Sequence, residues 1–461
     1  MTRDPPQPAA LGGLSRSLGF AGVLFLTLSV ATPASSVFVI VPGMLQAGGT
    51  GALWAMGIAG IVCVATAFIY AELSSAWPIA GGEYVAVAHT LGPLAGFVML
   101  GVNLFNNLLF PAIAGLGVSA VLASVLPGLP PVPIAVAVVA GSTAVAILDI
   151  RINAAVTGAF LLVEVLAIAA VAALGFADWT RPVVDLLLHP VAAQGNTLVP
   201  ATAAGIGVAA SIAIFALNGY GAAVYFAEEM EEAPRRIARA ILWALALTLV
   251  LEGVPLVALL VGAPDLLASL TSDDPFGLLV RTQGGAATAI WVSVAVVVAI
   301  VNAVVACILA CARFSYGTAR DGCWGRPIDR ALCSIHPRFG SPWIGTIFAG
   351  GVGMLCCFLP LRLLLVLSGT GLVAIYAGIA LAVIAGRRSG ASAHASFRMP
   401  LYPLAPIVTL AALAYVTATS WLDVEEGRPA LIATAAQIAA ATAWYGLVLR
   451  GRGGWSPRGV I

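Results

Sequence analysis

Apolar runs follow one another along nearly the whole chain, and short polar segments separate them. A helix needs about 20 apolar residues to cross the hydrocarbon core of a bilayer, and most of these runs reach that length. The pattern predicts an all-α integral membrane protein with a single transmembrane domain over residues 1–461. The twelve predicted membrane-spanning helices are residues 19–46, 52–74, 91–125, 132–149, 153–176, 203–226, 238–263, 286–313, 343–360, 362–386, 402–421 and 429–450.

The composition agrees with a membrane protein and excludes several other classes. Of the 461 residues, 61% are hydrophobic and 9% are charged, whereas soluble domains have about 45–50% and 25%. All 21 basic residues are arginine, so no lysine is present for a nucleotide-binding P-loop or for pyridoxal phosphate. Neither HExxH nor GxSxG occurs, and the net charge of +1 gives no reason to expect nucleic acid as a partner. We expect no enzyme activity, catalytic residue, cofactor or metal site.

The arginines predict how the chain is oriented in the membrane. With the N-terminus inside, 17 arginines fall on the cytoplasmic side. The four on the other side are Arg181, Arg281, Arg362 and Arg428. Cytoplasmic loops are enriched in arginine and lysine. We therefore expect an even number of spans, both termini in the cytoplasm, and a location in the inner or plasma membrane.

Two of the predicted spans are interrupted. The first contains Ala31–Ser36 (ATPASS), where Pro33 cannot donate a backbone hydrogen bond. The sixth contains Asn218–Gly221 (NGYG), whose two glycines weaken a helix. Irregular backbone at membrane depth is tolerated where it is buried or lines a cavity. The breaks are therefore either ordinary kinks or the walls of a central site.

The spacing of the two breaks favours the second interpretation. They lie five predicted spans apart, so the two segments cross the membrane in opposite directions. Inverted repeats with a site at the midplane show this pattern. We predict a first repeat of five helices over about residues 19–176, a second over 203–386, and two extra helices over 402–450.

Three connecting stretches resemble the amino acid–polyamine–organocation permease superfamily. Ala71–Tyr84 (AELSSAWPIAGGEY) is similar to its AELxxxxPxAGGxY signature, Glu228–Ile237 (EEMEEAPRRI) to EExxxPxRxI, and Ala319–Gly322 to ARDG. The resemblance implies a LeuT-like fold, alternating access, and a substrate held by the unwound parts of spans one and six. The first break reads TPASS where the family is often glycine-rich, and Gly219-Tyr220-Gly221 lacks the acid of the family's GYE-like triplet. The substrate therefore does not follow from the resemblance.

The two breaks supply most of the predicted substrate site. A half-helix that begins near Ser36 would present amides without intrahelical partners and the positive end of its dipole to a carboxylate. The serines could instead simply cap that helix. Carbonyls near Ala31 and around Phe215–Leu217 would suit an ammonium group, and Tyr220 or Phe215 would close over the side chain. The predicted substrate-binding residues are Ala31, Thr32, Ala34, Ser35, Ser36, Asn103, Asn107, Phe215, Asn218, Gly219, Tyr220, Gly221 and Asn302.

The amides in this set have two interpretations. Asn103 and Asn107 are four residues apart in span three and so share a helix face. Asn302 lies in span eight. Lipid cannot satisfy an amide, so these side chains should face either the substrate or a neighbouring helix.

Two acidic residues lie deep in apolar runs. Glu164 is in the middle of span five and Glu252 is in span seven. An ionisable group at such a depth is costly and is a functional candidate. Glu164 also falls near the position of a span-five lysine in some sodium-independent members of the family it resembles. Our hypothesis is that Glu164 couples transport to protons, and the alternative is a structural hydrogen bond.

These observations predict a secondary active transporter. A polyamine would require several acids near the midplane, whereas a zwitterion needs no net counter-charge. We therefore favour a neutral amino acid or a close derivative as substrate. We expect transport to be coupled to protons or to proceed by exchange, and we expect the protein to contact the lipid bilayer. The alternatives are a polyamine or amine antiporter and a ligand sensor with the same fold that does not transport.

Overall fold

The computed structural model describes residues 16–125, 128–424, 427–452 and 455–457. Arg3 and Arg458, which contribute to the predicted orientation, lie outside these residues. The α-helices are α1 (Phe20–Ala31), α2 (Pro33–Ser35), α3 (Val41–Gly48), α4 (Ala52–Ala76), α5 (Glu83–Leu91), α6 (Pro93–Val125), α7 (Pro131–Ala146), α8 (Ile150–Ala177), α9 (Val183–Leu188), α10 (Ala203–Ala216), α11 (Ala233–Gly262), α12 (Leu266–Thr271), α13 (Pro275–Arg320), α14 (Arg326–Leu332), α15 (Trp343–Cys356), α16 (Leu361–Ser389), α17 (Leu404–Leu422) and α18 (Gly427–Trp444).

Shorter elements complete the description. The strands β1 (Val191–Gln194) and β2 (Thr197–Pro200) form an antiparallel hairpin, with Val191 opposite Pro200. Additional turns of π-helix or 3-10 helix are Ser36–Ile40, Gly49–Gly51, Tyr220–Glu229, Tyr445–Leu449 and Arg450–Arg452.

The chain is a multi-pass membrane protein. Within the described residues, nine helical stretches are long and apolar enough to cross a membrane. The first of them, Phe20–Ala76, includes two predicted spans because helical turns continue from α1 into α4. Helices α7 and α15 are apolar but have only 16 and 14 residues. The count of twelve crossings and the five-plus-five repeat stay predictions.

The pattern of apolar residues did not predict the short helices and strands in the connections between spans. These are helices α5, α9, α12 and α14 and the β-hairpin. Elements of only a few turns are too short to be stable alone and depend on tertiary packing. The hairpin illustrates this, because the amide of Val191 donates to Oγ1 of Thr50 at 2.9 Å, beside the turn between α3 and α4.

The break in the first span is present, but the helix resumes earlier than the sequence predicted. Thr32 has a φ of 44°, and α2 begins directly after it at Pro33. Proline is well suited to the first helical position, because the amide there has no intrahelical partner. The half-helix therefore begins three residues before the predicted start at Ser36, and the Ser36 amide already donates to the Thr32 carbonyl at 3.1 Å.

The break in the sixth span lies directly against this one. Helix α10 ends at Ala216, and the chain continues after Gly219 as the 3-10 segment Tyr220–Glu229. Gly219 has a φ of 116°, and a Cβ atom there would lie 2.5 Å from the Cα of Ala31. Glycine is required at this position by both the backbone conformation and the close approach. The two interrupted helices thus meet at their breaks.

The three connecting stretches that resemble the permease superfamily meet at one end of the helical bundle. We call this the motif end. The Ala80 amide donates to Glu228 at 3.0 Å, and Arg320 pairs with the same carboxylate. The buried side chain of Arg313 forms a two-pronged ion pair with Glu229. These bonds tie together the connections after the second, sixth and eighth predicted spans.

Further contacts place both ends of the described chain at the motif end. Leu18 forms an isolated bridge with Met230, and the Trp455 ring packs on Tyr84. The Tyr84 hydroxyl donates to Asp321 at 2.8 Å. Burial raises the pKa of the Tyr84 phenol well above its usual value, so the hydroxyl keeps its proton and remains a donor.

Candidate substrate-binding site

A cavity lies between the two helix breaks, inside the bundle. Its walls come from α1 and its continuation, α4, α5, α6, α10 and its 3-10 continuation, α13 and α16. The lining residues are Val30, Ala31, Thr32, Ser35, Ser36, Val39, Ile40, Tyr70, Glu83, Asn103, Asn106, Asn107, Phe110, Ile113, Ala114, Gly117, Phe215, Ala216, Asn218, Gly219, Gly221, Ala222, Tyr225, Cys307, Ala310, Leu365, Ser368, Leu372 and Ile375.

Most of the residues predicted from the sequence line this cavity. They are Ala31, Thr32, Ser35, Ser36, Asn103, Asn107, Phe215, Asn218, Gly219 and Gly221. Three others, Ala34, Tyr220 and Asn302, are buried outside it. The cavity therefore brings together residues from both breaks and from α6.

The three residues outside the cavity have structural contacts instead. The Nδ2 of Asn302 donates to Ser29 Oγ at 2.9 Å and to the Thr157 carbonyl at 3.3 Å, which joins α13 to α1 and α8. The ring of Tyr220 packs edge-on against that of Tyr70, with 6.0 Å between centroids. Tyr220 is therefore buried behind the cavity wall and does not close over the cavity in this conformation.

Ala34 is held by the acid that the sequence predicted in span five. Its amide donates to Oε1 of Glu164 at 2.7 Å, across 130 residues of sequence. Glu164 is fully buried, and its Oε2 has no hydrogen-bond partner among the described residues. An acidic group at the beginning of a helix interacts favourably with the helix dipole. The contact joins α8 directly to the break in the first span.

Glu252 lies in α11, which also packs against this half-helix. Its side chain is fully buried. Neither of its carboxylate oxygens has a hydrogen-bond partner among the described residues. The two acids predicted from the apolar runs therefore both lie beside the break and outside the cavity.

Serine 36 connects the two breaks. Its hydroxyl donates to the Ala216 carbonyl at 3.0 Å. The neighbouring Phe215 carbonyl accepts from the Asn218 amide at 3.2 Å. Of the carbonyls predicted to suit an ammonium group, those of Phe215 and Ala216 therefore already accept hydrogen bonds within the protein.

Glu83 is the feature of the cavity that the sequence analysis missed. Its Oε1 accepts from the Tyr70 hydroxyl at 2.9 Å, and its Oε2 accepts from Asn103 Nδ2 at 2.6 Å. The Tyr225 hydroxyl lies 3.2 Å from Oε1 and 3.0 Å from Oε2. Of the described residues that line the cavity, Glu83 alone has an acidic or basic side chain of the Asp, Glu, Arg or His type. It lies in the stretch Ala71–Tyr84, which the sequence predicts to connect two spans.

An amide chain fixes the position of this carboxylate. Asn107 Nδ2 donates to Asn103 Oδ1 at 2.9 Å, as expected for two residues on one helix face. The Tyr225 hydroxyl lies 3.2 Å from the same Oδ1. Nearby, Asn106 and Ser368 bond to one another at 2.6 Å across α6 and α16. These amides therefore join helices and also line the cavity.

A backbone turn explains why Glu83 reaches the cavity. Gly82, just before α5, has a φ of 62°, and a Cβ atom there would lie 2.8 Å from the Tyr225 ring. The chain can therefore pass close to the 3-10 segment and turn Glu83 inward. The adjacent glycines of the signature are the only sequence signal that could have indicated this turn.

The chain is similar to known transport proteins over most of its length. A model of the amino acid permease family matches residues 18–443. The methylthioribose transporter of Bacillus subtilis is 28% identical over 397 residues, which cover 81% of this chain and 82% of the relative. The branched-chain amino acid permease BcaP of the same organism is 24% identical over 435 residues, 89% of this chain and 90% of the relative.

An uncharacterized transporter of Mycobacterium tuberculosis is 26% identical over 345 residues, 74% of this chain and 73% of the relative. The similarity to these three proteins is low but extends over most of each chain.

Proposed function

Because the chain belongs to the amino acid permease family, we propose that it is a secondary active transporter for a neutral amino acid or a close derivative. That it is a transporter and not an enzyme follows from the family and from the relatives. The substrate, the coupled ion and the alternating-access mechanism are our proposals. The single observation that supports them best is the cavity between two facing helix breaks.

The first break supports a role in binding the carboxylate of the substrate. Ser35 lines the cavity and lies in the first turn of the half-helix, where amides lack intrahelical partners. The Ala34 amide is not available, because Glu164 already accepts from it. In our proposal the Ser35 amide and hydroxyl bind one substrate oxygen, at the positive end of the half-helix.

Glu164 is our candidate for the proton-coupling group. Its carboxyl is buried in an apolar region and has one donor, the Ala34 amide, which belongs to the break itself. An ionised carboxylate there is costly. In our proposal a change of its protonation alters the bond to Ala34 and so couples the proton to the first break. Exchange of substrates without protons is the alternative.

The motif end supports alternating access. The ion pairs of Arg313 with Glu229 and of Arg320 with Glu228 close the bundle there. In our proposal this end faces the cytoplasm, and these pairs must separate before the cavity can open on that side.

A neutral polyol is the second candidate substrate. The relative with 28% identity is named a methylthioribose transporter, and methylthioribose carries hydroxyl groups and no amine. The cavity contains uncharged hydrogen-bonding groups on Asn106, Asn107 and Ser368 that suit hydroxyls.

Uptake into proteoliposomes tests the proposed function. Purified protein is reconstituted and offered radiolabelled L-leucine, methylthioribose and putrescine, with and without an inward proton gradient. We expect gradient-dependent accumulation of leucine. Accumulation of methylthioribose alone would favour the second candidate, and exchange of putrescine alone would favour an amine antiporter. Binding of any of the three without flux would contradict transport and indicate a sensor.

A further inference from the structure

We propose that Glu83 binds a protonated nitrogen of the transported substrate, which makes compounds with an amine the substrate class. This assignment rests on the proposed function, because it assumes that the central cavity holds the substrate. It adds a specificity-determining residue to that site.

The surroundings of Glu83 suit a carboxylate. The Tyr70 hydroxyl, the Asn103 amide and the Tyr225 hydroxyl all direct donors toward its two oxygens. An ionised carboxylate accepts hydrogen bonds and donates none, so three convergent donors match it. All three donors are uncharged, and only 5% of the Glu83 residue is exposed. The protein therefore supplies hydrogen bonds but leaves the charge uncompensated.

Two of the other buried acids have a cation of their own, whereas Glu164 and Glu252, like Glu83, take part in no ion pair among the described residues. Glu229 pairs with Arg313, and Glu72 pairs with Arg387 at 2.6 Å. Within the described ranges Glu83 takes part in no ion pair, although it is buried to a similar degree. A buried charge without a partner is expensive. Because Glu83 faces the cavity, a cation that enters the cavity can provide the missing charge.

The helix breaks offer the same cation neutral carbonyls and no acidic side chain. The carbonyls of Phe215 and Ala216 already accept hydrogen bonds from Asn218 and Ser36. Glu83 is the one carboxyl group among the described cavity residues. A zwitterion would thus place its carboxylate near Ser35 and its ammonium toward Glu83, and the remaining apolar wall would contact its side chain.

Ligand binding to the purified full-length protein tests this assignment. The probes are L-leucine, 3-methylbutylamine, 3-methylbutanol and methylthioribose, and affinity is measured from thermal shift against probe concentration. Glu83→Gln removes the charge and keeps the size of the side chain. Glu232→Gln is the matched control, since it removes a carboxylate that is 58% exposed and lies outside the cavity.

We expect the wild-type protein to bind leucine and 3-methylbutylamine. Glu83→Gln should weaken both by about tenfold or more, because each factor of ten corresponds to about 1.4 kcal/mol and a charged hydrogen bond contributes that much. The affinities of Glu232→Gln should stay within about twofold of wild type, as expected for a distant site. Equal affinity of wild type and Glu83→Gln for the two amines would overturn the assignment.

Two further comparisons keep the test decisive if Glu83→Gln does not fold. Wild-type protein should prefer 3-methylbutylamine over 3-methylbutanol by about tenfold or more, and equal binding of the two would overturn the assignment. A response to methylthioribose without any response to the amines would also overturn it, and would leave the proposed transport function intact. If wild type responds to none of the four probes, the assignment is wrong, and uptake into proteoliposomes decides the proposed function separately.

Discussion

Glu83 and Glu164 are both buried acids beside the helix breaks, yet their surroundings differ. Glu83 lines the cavity and receives bonds from three side chains. Glu164 lies behind the first break and receives one bond, from the Ala34 amide. Burial alone therefore does not define the role of an acid. An acid with several donors and access to the cavity suits a cationic ligand, whereas one in an apolar region without access suits a proton.

Glu229 gives a third case, a buried acid with its own cation, and removing that cation should have the largest effect on stability. We expect Arg313→Met to destabilise the protein by about 3–5 kcal/mol, since it leaves Glu229 buried without a partner. Thermal unfolding of the purified variant measures this. Glu83→Gln is the contrasting variant and should unfold within about 1 kcal/mol of wild type, because no cation is left unpaired. Similar losses in the two variants would contradict the distinction between paired and unpaired acids.

The next largest effect should be on coupling. A gradient of one pH unit supplies about 1.4 kcal/mol, which corresponds to about tenfold accumulation. We expect Glu164→Gln to abolish this accumulation in proteoliposomes, because the side chain can no longer gain or lose a proton. Uptake is measured over a series of external pH values.

Binding provides the control for the Glu164 variant. Because Glu164 lies outside the cavity, the affinity of the Glu164→Gln protein for leucine should stay within about threefold of wild type. An unchanged dependence of uptake on the proton gradient would show that Glu164 has a structural role only.

Tyr225→Phe should have a smaller effect, on the affinity of the site around Glu83 for an amine. The variant removes one of the three donors to the carboxylate. A hydrogen bond contributes about 1 kcal/mol, so the affinity for 3-methylbutylamine should change by about fivefold. Tyr415→Phe is the matched control, because Tyr415 is 47% exposed and does not line the cavity. An equal change in both variants would show that the effect does not pass through Glu83.

Asn302→Ala should have the smallest effect on ligand binding. The side chain joins α13 to α1 and α8 outside the cavity. We expect a loss of about 1–2 kcal/mol of stability and no measurable change in leucine affinity. Thermal unfolding and thermal shift with leucine measure the two quantities on the same sample. A weakened leucine affinity at unchanged stability would return Asn302 to the substrate site.

Much of the candidate site could be predicted because its signals are local. Pro33 and Gly219 interrupt their helices through their own backbone chemistry, so both breaks were found from the sequence. The spacing of Asn103 and Asn107 placed them on one helix face, and their side chains do bond at 2.9 Å. The start of the half-helix was placed three residues too late, because proline at a first helical position was read as part of the break.

Other residues could not be placed because their partners lie far away in the chain. We predicted Asn302 in the site because lipid cannot form hydrogen bonds with an amide. Its amide instead bonds to partners on α1 and α8, outside the cavity. Ala34 belongs to the break, yet its amide meets Glu164 instead of a substrate. Glu83 followed the second predicted span in what we interpreted as a loop, and only the turn at Gly82 directs it inward.

The membrane location, the resemblance to a permease family and the two broken helices could all be predicted from the sequence alone. Those properties follow from the length of the apolar runs and from contiguous motifs, and they do not depend on how the helices pack. Which acid faces the cavity depends on tertiary packing. Glu83 and Tyr225 are 142 residues apart, and Ala34 and Glu164 are 130 apart. Contacts across such separations depend on the packing of whole helices, and that packing decides whether a buried carboxyl faces a ligand or the protein interior.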